Sequence, residues 1–322
     1  MAFFILCCLI LMSLTACGAP AQQTGNEVIF AASATTGSFY QFCVPCCDIV
    51  TKNAEDVMLT AISTTGTKES IDLLGIGEVQ VAGGPGIMGY YAYQGRGPWE
   101  GAPINNFSVA FVAYPDYVQI ATTADSDIGC ISDLSGKKIS MNLIQSSGDL
   151  TGQLILESLG ITDYEPYYMD SADSLEALQE GRIDAMMYQG GLGPSVYMEL
   201  AASRYGIKLV PISPEEAELI SANAEGILVA RTVPAGYYQG LETETPTVGG
   251  SVPIVVSNEL SEETVYQMVK AINENNSELA AAVSNAAYST AENTVADWGN
   301  TAIPLHPGAI KYFAELGLMS AD

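Results

Sequence analysis

At least five times along the 322-residue chain, an apolar, β-branched run gives way to a short loop of Ser, Thr and Gly and then to a segment with helical periodicity. Val28–Ala32 leads into Ala34-Thr35-Thr36-Gly37-Ser38, Val57–Ile62 into Thr64-Thr65-Gly66-Thr67, and Ile139–Ile144 into Gln145-Ser146-Ser147-Gly148. Val79–Ala82 leads into Gly83-Gly84-Pro85-Gly86, and Ile183–Tyr188 into Gln189-Gly190-Gly191. Parallel strands need crossover helices between them, so this alternation predicts an α/β fold with largely parallel sheets. At about 150 residues per domain, the length predicts two such units. A hydrophobic content of 48% is enough to fill two cores.

Helix punctuation agrees with this reading. Ser213-Pro214-Glu215-Glu216 is a capping box with Pro at the first helical position. Ser261 is placed to cap a helix on which Val265, Met268, Val269 and Ile272 form one apolar stripe, and Gly160 and Gly181 are placed to end two others. Two extended apolar runs, Val109–Thr123 and Ser251–Ser257, stand apart from the pattern and are predicted to cross between the lobes. On that reading residues 27–118 and 256–322 build lobe 1, and residues 119–255 build lobe 2.

The N-terminal run Phe3–Leu14 is about a dozen apolar residues long, against the ~20 of a spanning helix. It fits a signal-peptide core, and Leu14-Thr15-Ala16-Cys17 resembles a bacterial lipobox. Residues 1–16 are therefore expected to leave as a signal, with Cys17 lipidated and residues 17–26 as a tether. The rest of the chain is expected outside the cytoplasm and held to the membrane by that anchor alone. The net charge of −26, from 37 acidic and 11 basic residues, argues against nucleic acid and against an anionic membrane surface. Cys43, Cys46, Cys47 and Cys130 remain; buried small hydrophobes, a zinc cluster and one disulfide are the open readings.

In open α/β sheets the loops beyond the strands' carboxyl ends face a common crevice, where helix N-termini present free N–H groups. The three Ser/Thr/Gly loops offer hydroxyls, N–H groups and helix dipoles, a cradle suited to a carboxylate. The bland alternative is an ordinary strand-to-helix turn, but the same composition recurs three times. Tyr40, Tyr114, Tyr117 and Tyr188 stand beside these loops or on a crossing strand, where rings can stack on a ligand or simply pack. Gly84-Pro85-Gly86-Ile87-Met88-Gly89 matches G-x-G-x-x-G, but its Pro and its place on a later strand disfavour a dinucleotide site. His306, the single histidine, has no nucleophile elbow or companion Cys motif and reads as a turn residue. No catalytic constellation, metal site or cofactor motif stands out.

In order along the chain, Gly37-Ser38-Phe39-Tyr40, Gly66-Thr67-Lys68-Glu69, the stretch 91–101 (YAYQGRGPWEG), Tyr114-Pro115 and the stretch 131–139 (ISDLSGKKI) resemble one known family. Gly181-Arg182-Ile183-Asp184-Ala185, Val233-Pro234-Ala235-Gly236 and the ending 303–318 (IPLHPGAIKYFAELGL) continue the match. The family is the TAXI class of solute-binding proteins that serve tripartite ATP-independent periplasmic (TRAP) transporters. The resemblance implies a two-lobed, type II periplasmic-binding-protein fold that closes on a small carboxylate or amino acid such as glutamate or 2-oxoglutarate. It also implies a sodium-driven membrane permease as partner, and binding without catalysis. Position by position it implies ligand contacts from Thr35, Gly37 and Tyr40, from Gly66 and Thr67, and from Ser146. The strand-end loops add Ser38, Thr65, Gly86, Ser147, Gly148, Gln189 and Gly190 as candidates, and the crossing strand adds Tyr114. The alternative is a ligand-sensing lipoprotein that signals its closed state, or a receptor for another solute.

Overall fold

A computed structural model describes residues 26–35 and 37–320. The signal over residues 1–16, the Cys17 anchor, the tether up to residue 25 and Thr36 lie outside the described residues. Among the described residues no helix is long and apolar enough to cross a membrane.

The chain begins with β1 (Asn26–Ala31), α1 (Ser38–Asn53), β2 (Val57–Ile62), α2 (Thr67–Gly75), β3 (Val81–Gly83), α3 (Gly86–Gln94) and β4 (Phe107–Pro115). It then passes into β5 (Tyr117–Thr122), β6 (Lys138–Ser140), α4 (Ser147–Ser158), β7 (Glu165–Tyr167), α5 (Ser171–Gln179), β8 (Ala185–Gly190), α6 (Ser195–Ala202) and β9 (Lys208–Leu209). After α7 (Pro214–Asn223) and the antiparallel pair β10 (Val229–Val233) and β11 (Thr245–Gly249), β12 (Ser251–Ser257) returns to the first sheet. The helices α8 (Glu262–Glu274), α9 (Asn276–Ala282), α10 (Ala291–Asp297) and α11 (Pro307–Glu315) close the chain.

Both five-stranded sheets have the same plan. The first runs β2-β1-β3-β12-β4 and the second β7-β6-β8-β5-β9. In each, three parallel strands are followed by one antiparallel strand that has just crossed from the other lobe, β12 in the first and β5 in the second. This is the two-lobed α/β architecture expected from the alternating units. The run Val109–Thr123 is not one strand, because it divides at Asp116 into β4 and β5. Ser251–Val255, expected in lobe 2, pair with β3 and β4 in the first sheet, so the chain changes sheets at Gly250. Pro253 sits inside this interior strand, where its missing N–H would break a ladder. The register with β4 shifts between Val252 and Pro253, which is where a bulge accommodates it.

The punctuation operates as read. Ser213 N donates to Glu216 Oε2 at 2.7 Å while Glu216 N donates to Ser213 Oγ at 3.2 Å. Ser261 caps α8, and Val265, Met268, Val269 and Ile272 are all buried. Gly160 and Gly181 adopt φ of 71° and 70° just past α4 and α5. The strand expected over Ile139–Ile144 ends at Ser140, because Asn142 and Gln145 take left-handed φ of 68° and 60°. Cys43, Cys46 and Cys47 lie on the buried face of α1 as free thiols, and burial pushes all three pKa values up, Cys47 to about 12. They pack as small hydrophobes. Cys130, also free, is exposed at a turn in the other lobe. His306 caps α11, its Nδ1 accepting from Gly308 N at 3.2 Å, and burial lowers its pKa.

Where β11 hands over to β12 the packing leaves no room for a side chain. A Cβ on Gly249 would run into the carbonyl of Asp116 and lie 2.9 Å from Tyr117 Cα, both backbone atoms. Gly249→Ala is expected to destabilise the protein by about 1–3 kcal/mol through forced backbone shifts, a loss that chemical denaturation would register as a lower midpoint.

Candidate functional site

The parallel strands of both sheets end at one cleft. Loops after β1 (Ser33, Ala34, Gly37), β2 (Thr65, Gly66) and β3 (Gly84, Pro85) line it from one side. Loops after β6 (Asn142, Leu143, Ser146), β7 (Asp170) and β8 (Pro194) line it from the other, with the ends of β4 and β8 at its floor. It holds about 900 Å³ of empty space, its open mouth included.

Each loop feeds a helix whose N-terminus is at the cleft, and the ends differ in how they are capped. Gly37 and Gly66, the N-caps of α1 and α2, have no side chain to accept from the first-turn N–H groups. Those two ends keep their donors without a side-chain cap. Ser146 Oγ accepts from Asp149 N at 3.3 Å, and Asp170 Oδ1 accepts from Ala172 N and Asp173 N, both at 2.9 Å. No Lys or Arg is among the lining residues, and Asp170 is their single carboxylate. Positive potential inside the cleft thus comes from helix ends and N–H groups.

The loops are held before any ligand arrives. Thr64 N donates to Ser33 O at 3.1 Å, and Thr64 Oγ1 and Ser70 Oγ each donate to Gly66 O at 3.2 Å. Glu69 accepts from Thr65 N at 2.6 Å and Thr65 Oγ1 at 2.7 Å, which holds its carboxyl below the usual range. Asn142 Nδ2 donates to Ser171 Oγ at 3.1 Å and Met169 N to Asn142 O at 3.2 Å. Preorganised donors of this kind do not have to reorient when a ligand binds.

Of the residues singled out from sequence, Gly37, Ser38, Thr65, Gly66, Thr67 and Tyr114 line the cleft from the first lobe and its crossing strand. Ser146, Ser147, Gly148, Gln189 and Gly190 line it from the second. Thr35, Tyr40 and Gly86 do not. The turn closed by Gly37 N to Ala34 O, 3.0 Å, leaves Thr35 exposed. Tyr40, further into α1, packs against the core. Gly86 is covered by β12, where a Cβ would meet Ser251 O at 3.0 Å. Sequence reasoning passed over Asp170 and Ser171, although Asp-Ser ahead of a helix is an N-cap signal. Its strand, β7, is three residues long and mostly exposed, too short for hydropathy to reveal.

The cleft floor is hydrogen-bonded to both chain crossings. Asp116, fully buried, accepts from Gly250 N with one carboxylate oxygen and from Gln189 Nε2 at 3.1 Å with the other. Gln189 Oε1 accepts from Thr151 Oγ1 at 2.6 Å, and Asp116 N donates to Gly250 O at 3.1 Å. Arg231 Nη2 donates to the same Gly250 carbonyl at 2.8 Å. Burial raises the Asp116 pKa to about 7, against the opposing pull of Gly250 N–H, Arg231 and Gln189. Side-chain contacts also join the lobes directly, among them Ser38 Oγ to Tyr188 OH at 3.0 Å, Glu225, which accepts from Tyr90 OH at 2.6 Å and Arg96 Nη1 at 2.5 Å, and Arg231 Nη2 paired with Asp297 Oδ2 at 3.8 Å.

The NMT1-like family pattern matches residues 30–317, across both sheets and the cleft between them. The chain belongs to the NMT1-like family. In fold it is similar to a putative L-cystine ABC transporter protein from Listeria monocytogenes, with 13% identity and a TM-score of 0.51 over 82% of this chain and 98% of that one. It is also similar to a Xanthomonas citri protein solved with ATP, with 12% identity and a TM-score of 0.52 over 90% of this chain and 95% of that one. The NMT1-like chain thus has the two-lobed fold of the type II periplasmic binding proteins.

The buried carboxyl at the crossings makes the stability of this NMT1-like fold depend on pH. Folded Asp116 titrates near pH 7, and in the unfolded chain near 3.9. Between those values the folded state holds a proton that the unfolded state has released, so this residue's contribution falls as pH rises through about 7. Asp116→Asn keeps an acceptor for Gly250 N–H and, with the Gln189 amide turned over, a partner there too. The variant is expected to melt above the wild type at pH 8 and to lose most of that advantage at pH 5, in paired thermal melts.

Proposed function

We propose that the protein is the extracytoplasmic solute-binding subunit of a TRAP-type secondary transporter, and that it captures a small carboxylate such as glutamate or 2-oxoglutarate between its lobes. The observation that carries this reading is the cleft itself, in which strand-end loops and helix N-termini from both lobes converge with no cationic side chain among the lining residues. Such ends hold an anion through oriented N–H groups in a partly desolvated site. A chain of net charge −26 needs local donors of that kind, since its long-range field repels anions. The two-lobed fold and the family match support a receptor, and the TAXI resemblance supports the TRAP permease as its partner. On the same reading residues 1–16 are a signal and Cys17 carries the lipid, so Cys17→Ser would release the protein from the membrane fraction.

Binding without turnover predicts that a matching carboxylate raises the melting temperature, by about 2.7 kcal/mol of added stability at a hundred times its Kd. Ser147→Asp supplies the control. An acid in the first turn of α4 favours the helix, whereas in the cleft it opposes an anionic ligand by about 1–4 kcal/mol at ~4 Å separation. The variant should melt like the wild type without ligand and lose the ligand-induced shift. A shift that survives in the variant, or one produced only by neutral solutes, would remove the carboxylate from the proposal.

A further inference from the structure

Three hydroxyls gather at the cleft floor, where the ends of β4 and β8 meet the start of α1. Ser38 is the first residue of α1, Tyr114 stands near the end of β4 and Tyr188 near the end of β8, and all three line the cleft. Ser38 and Tyr114 are buried, and Tyr188 is half-buried. Two glycines where β8 ends make room for the cluster. A Cβ on Gly190 would lie 2.6 Å from the Tyr188 hydroxyl, and one on Gly191 would lie 3.0 Å from Tyr114 Cε2 and 3.1 Å from Ser38 Oγ. Phe42 holds the Tyr114 ring from behind, edge to face at 5.5 Å.

This cluster has more hydrogens than acceptors. Ser38 Oγ and Tyr188 OH lie 3.0 Å apart, and the bond between them uses one of their two hydrogens. The Tyr114 hydroxyl is buried with no hydrogen-bond partner. The hydrogen left over from the pair and the one on Tyr114 therefore have no acceptor among the described residues, at a depth where an unmade bond is costly. Burial, and then the neighbouring Tyr188 phenol, push the Tyr114 pKa well up, so Tyr114 keeps the hydrogen it has to donate. The complement of such a floor is an oxygen that carries lone pairs and no hydrogen. An ammonium is poorly served there, because it would meet the positive end of α1, whose N-cap Gly37 has no side chain. Asn142 Oδ1 and Gln189 Oε1 already accept from Leu143 N at 2.8 Å and Thr151 Oγ1 at 2.6 Å. Asp170, the single carboxylate of the lining, follows β7, which is separated from β8 by β6, and it already caps α5.

We infer that the Ser38, Tyr114 and Tyr188 hydroxyls form a subsite for a ligand carbonyl oxygen next to the carboxylate, so that the substrate class is the 2-oxo acids and the matching amino acids are rejected. This rests on the carboxylate reading of the cleft. The carboxylate occupies the uncapped ends of α1 and α2, and the 2-oxo oxygen accepts the two free hydrogens of the floor.

Calorimetric titration of the whole chain with 2-oxoglutarate, glutamate and glutarate, which share a carbon skeleton and differ at one position, separates the subsite from the cradle. A site built to bond an oxygen rejects analogues that lack it, so 2-oxoglutarate should bind at least about tenfold more tightly than either of the others. Tyr114→Phe removes one free hydrogen at nearly constant volume and, because that hydroxyl has no partner, should melt no lower than the wild type. Tyr188→Phe removes a hydrogen from the bonded pair as a second variant. In each, the affinity ratio of 2-oxoglutarate to glutarate should fall by about fivefold or more. Glutamate or glutarate binding the wild type as tightly as 2-oxoglutarate, or a ratio unchanged in both variants, overturns the oxo subsite and leaves the cradle standing. Binding of none of the three overturns both readings together.

Discussion

Everything in this fold hangs on two adjacent backbone segments, Asp116 and Gly249-Gly250, where the chain leaves one sheet for the other and comes back. They are clamped by reciprocal backbone and carboxylate bonds between Asp116 and Gly250. Because the carboxylate also reaches Gln189, the clamp is tied to the end of β8 at the cleft floor. A hydrogen-bonded acid at that depth is costly when ionised and serviceable when protonated, which is why its pKa sits near neutrality. The crossings fix how the lobes face each other, and that in turn decides which strand ends share a cleft.

Each sheet then contributes the same thing. Parallel strands oblige their helices to start at the same edge, so placing two such edges face to face gathers helix N-termini without any cationic residue. Capping divides those ends by role. Where Ser146 or Asp170 occupies the first-turn N–H groups, the helix end is largely satisfied internally; where Gly37 or Gly66 stands, it is not. The charge of the chain and the chemistry of the cleft are therefore separate matters: an acidic surface encloses a site whose local potential is set by backbone geometry.

Much of this was legible in the residues because it rests on local rules. Val57–Ile62 is a strand in both readings, and the Ser213 box, the Gly160 and Gly181 ends and the α8 stripe follow from capping and periodicity. The cleft-lining loops were legible because the same Ser/Thr/Gly composition recurs after three apolar runs, which a single strand-to-helix turn would not have revealed. What escaped notice depends on distance along the chain. Asp116 is one acid among 37, and only its pairing with Gly250, 134 positions away, gives it a role. Strand β7 is too short to show a pattern, and the ends of the Ile139 strand turn on backbone angles that hydropathy does not encode. Tyr40 packs against the core instead of lining the cleft, because neither a motif match nor proximity to a loop says which face of a helix a side chain occupies.

The insertion of β12 between β3 and β4 also dictates an order of assembly. All the strands of the second sheet lie between residues 117 and 209, so that sheet can pair as soon as this stretch is free. The first sheet cannot: the place between β3 and β4 stays vacant until residues 251–257 arrive, long after its other four strands have been made. Pairings this remote in sequence form slowly. The half of the molecule that starts the chain is thus the half that finishes last, and the α8 stripe that follows β12 seals a core that has no earlier way to close.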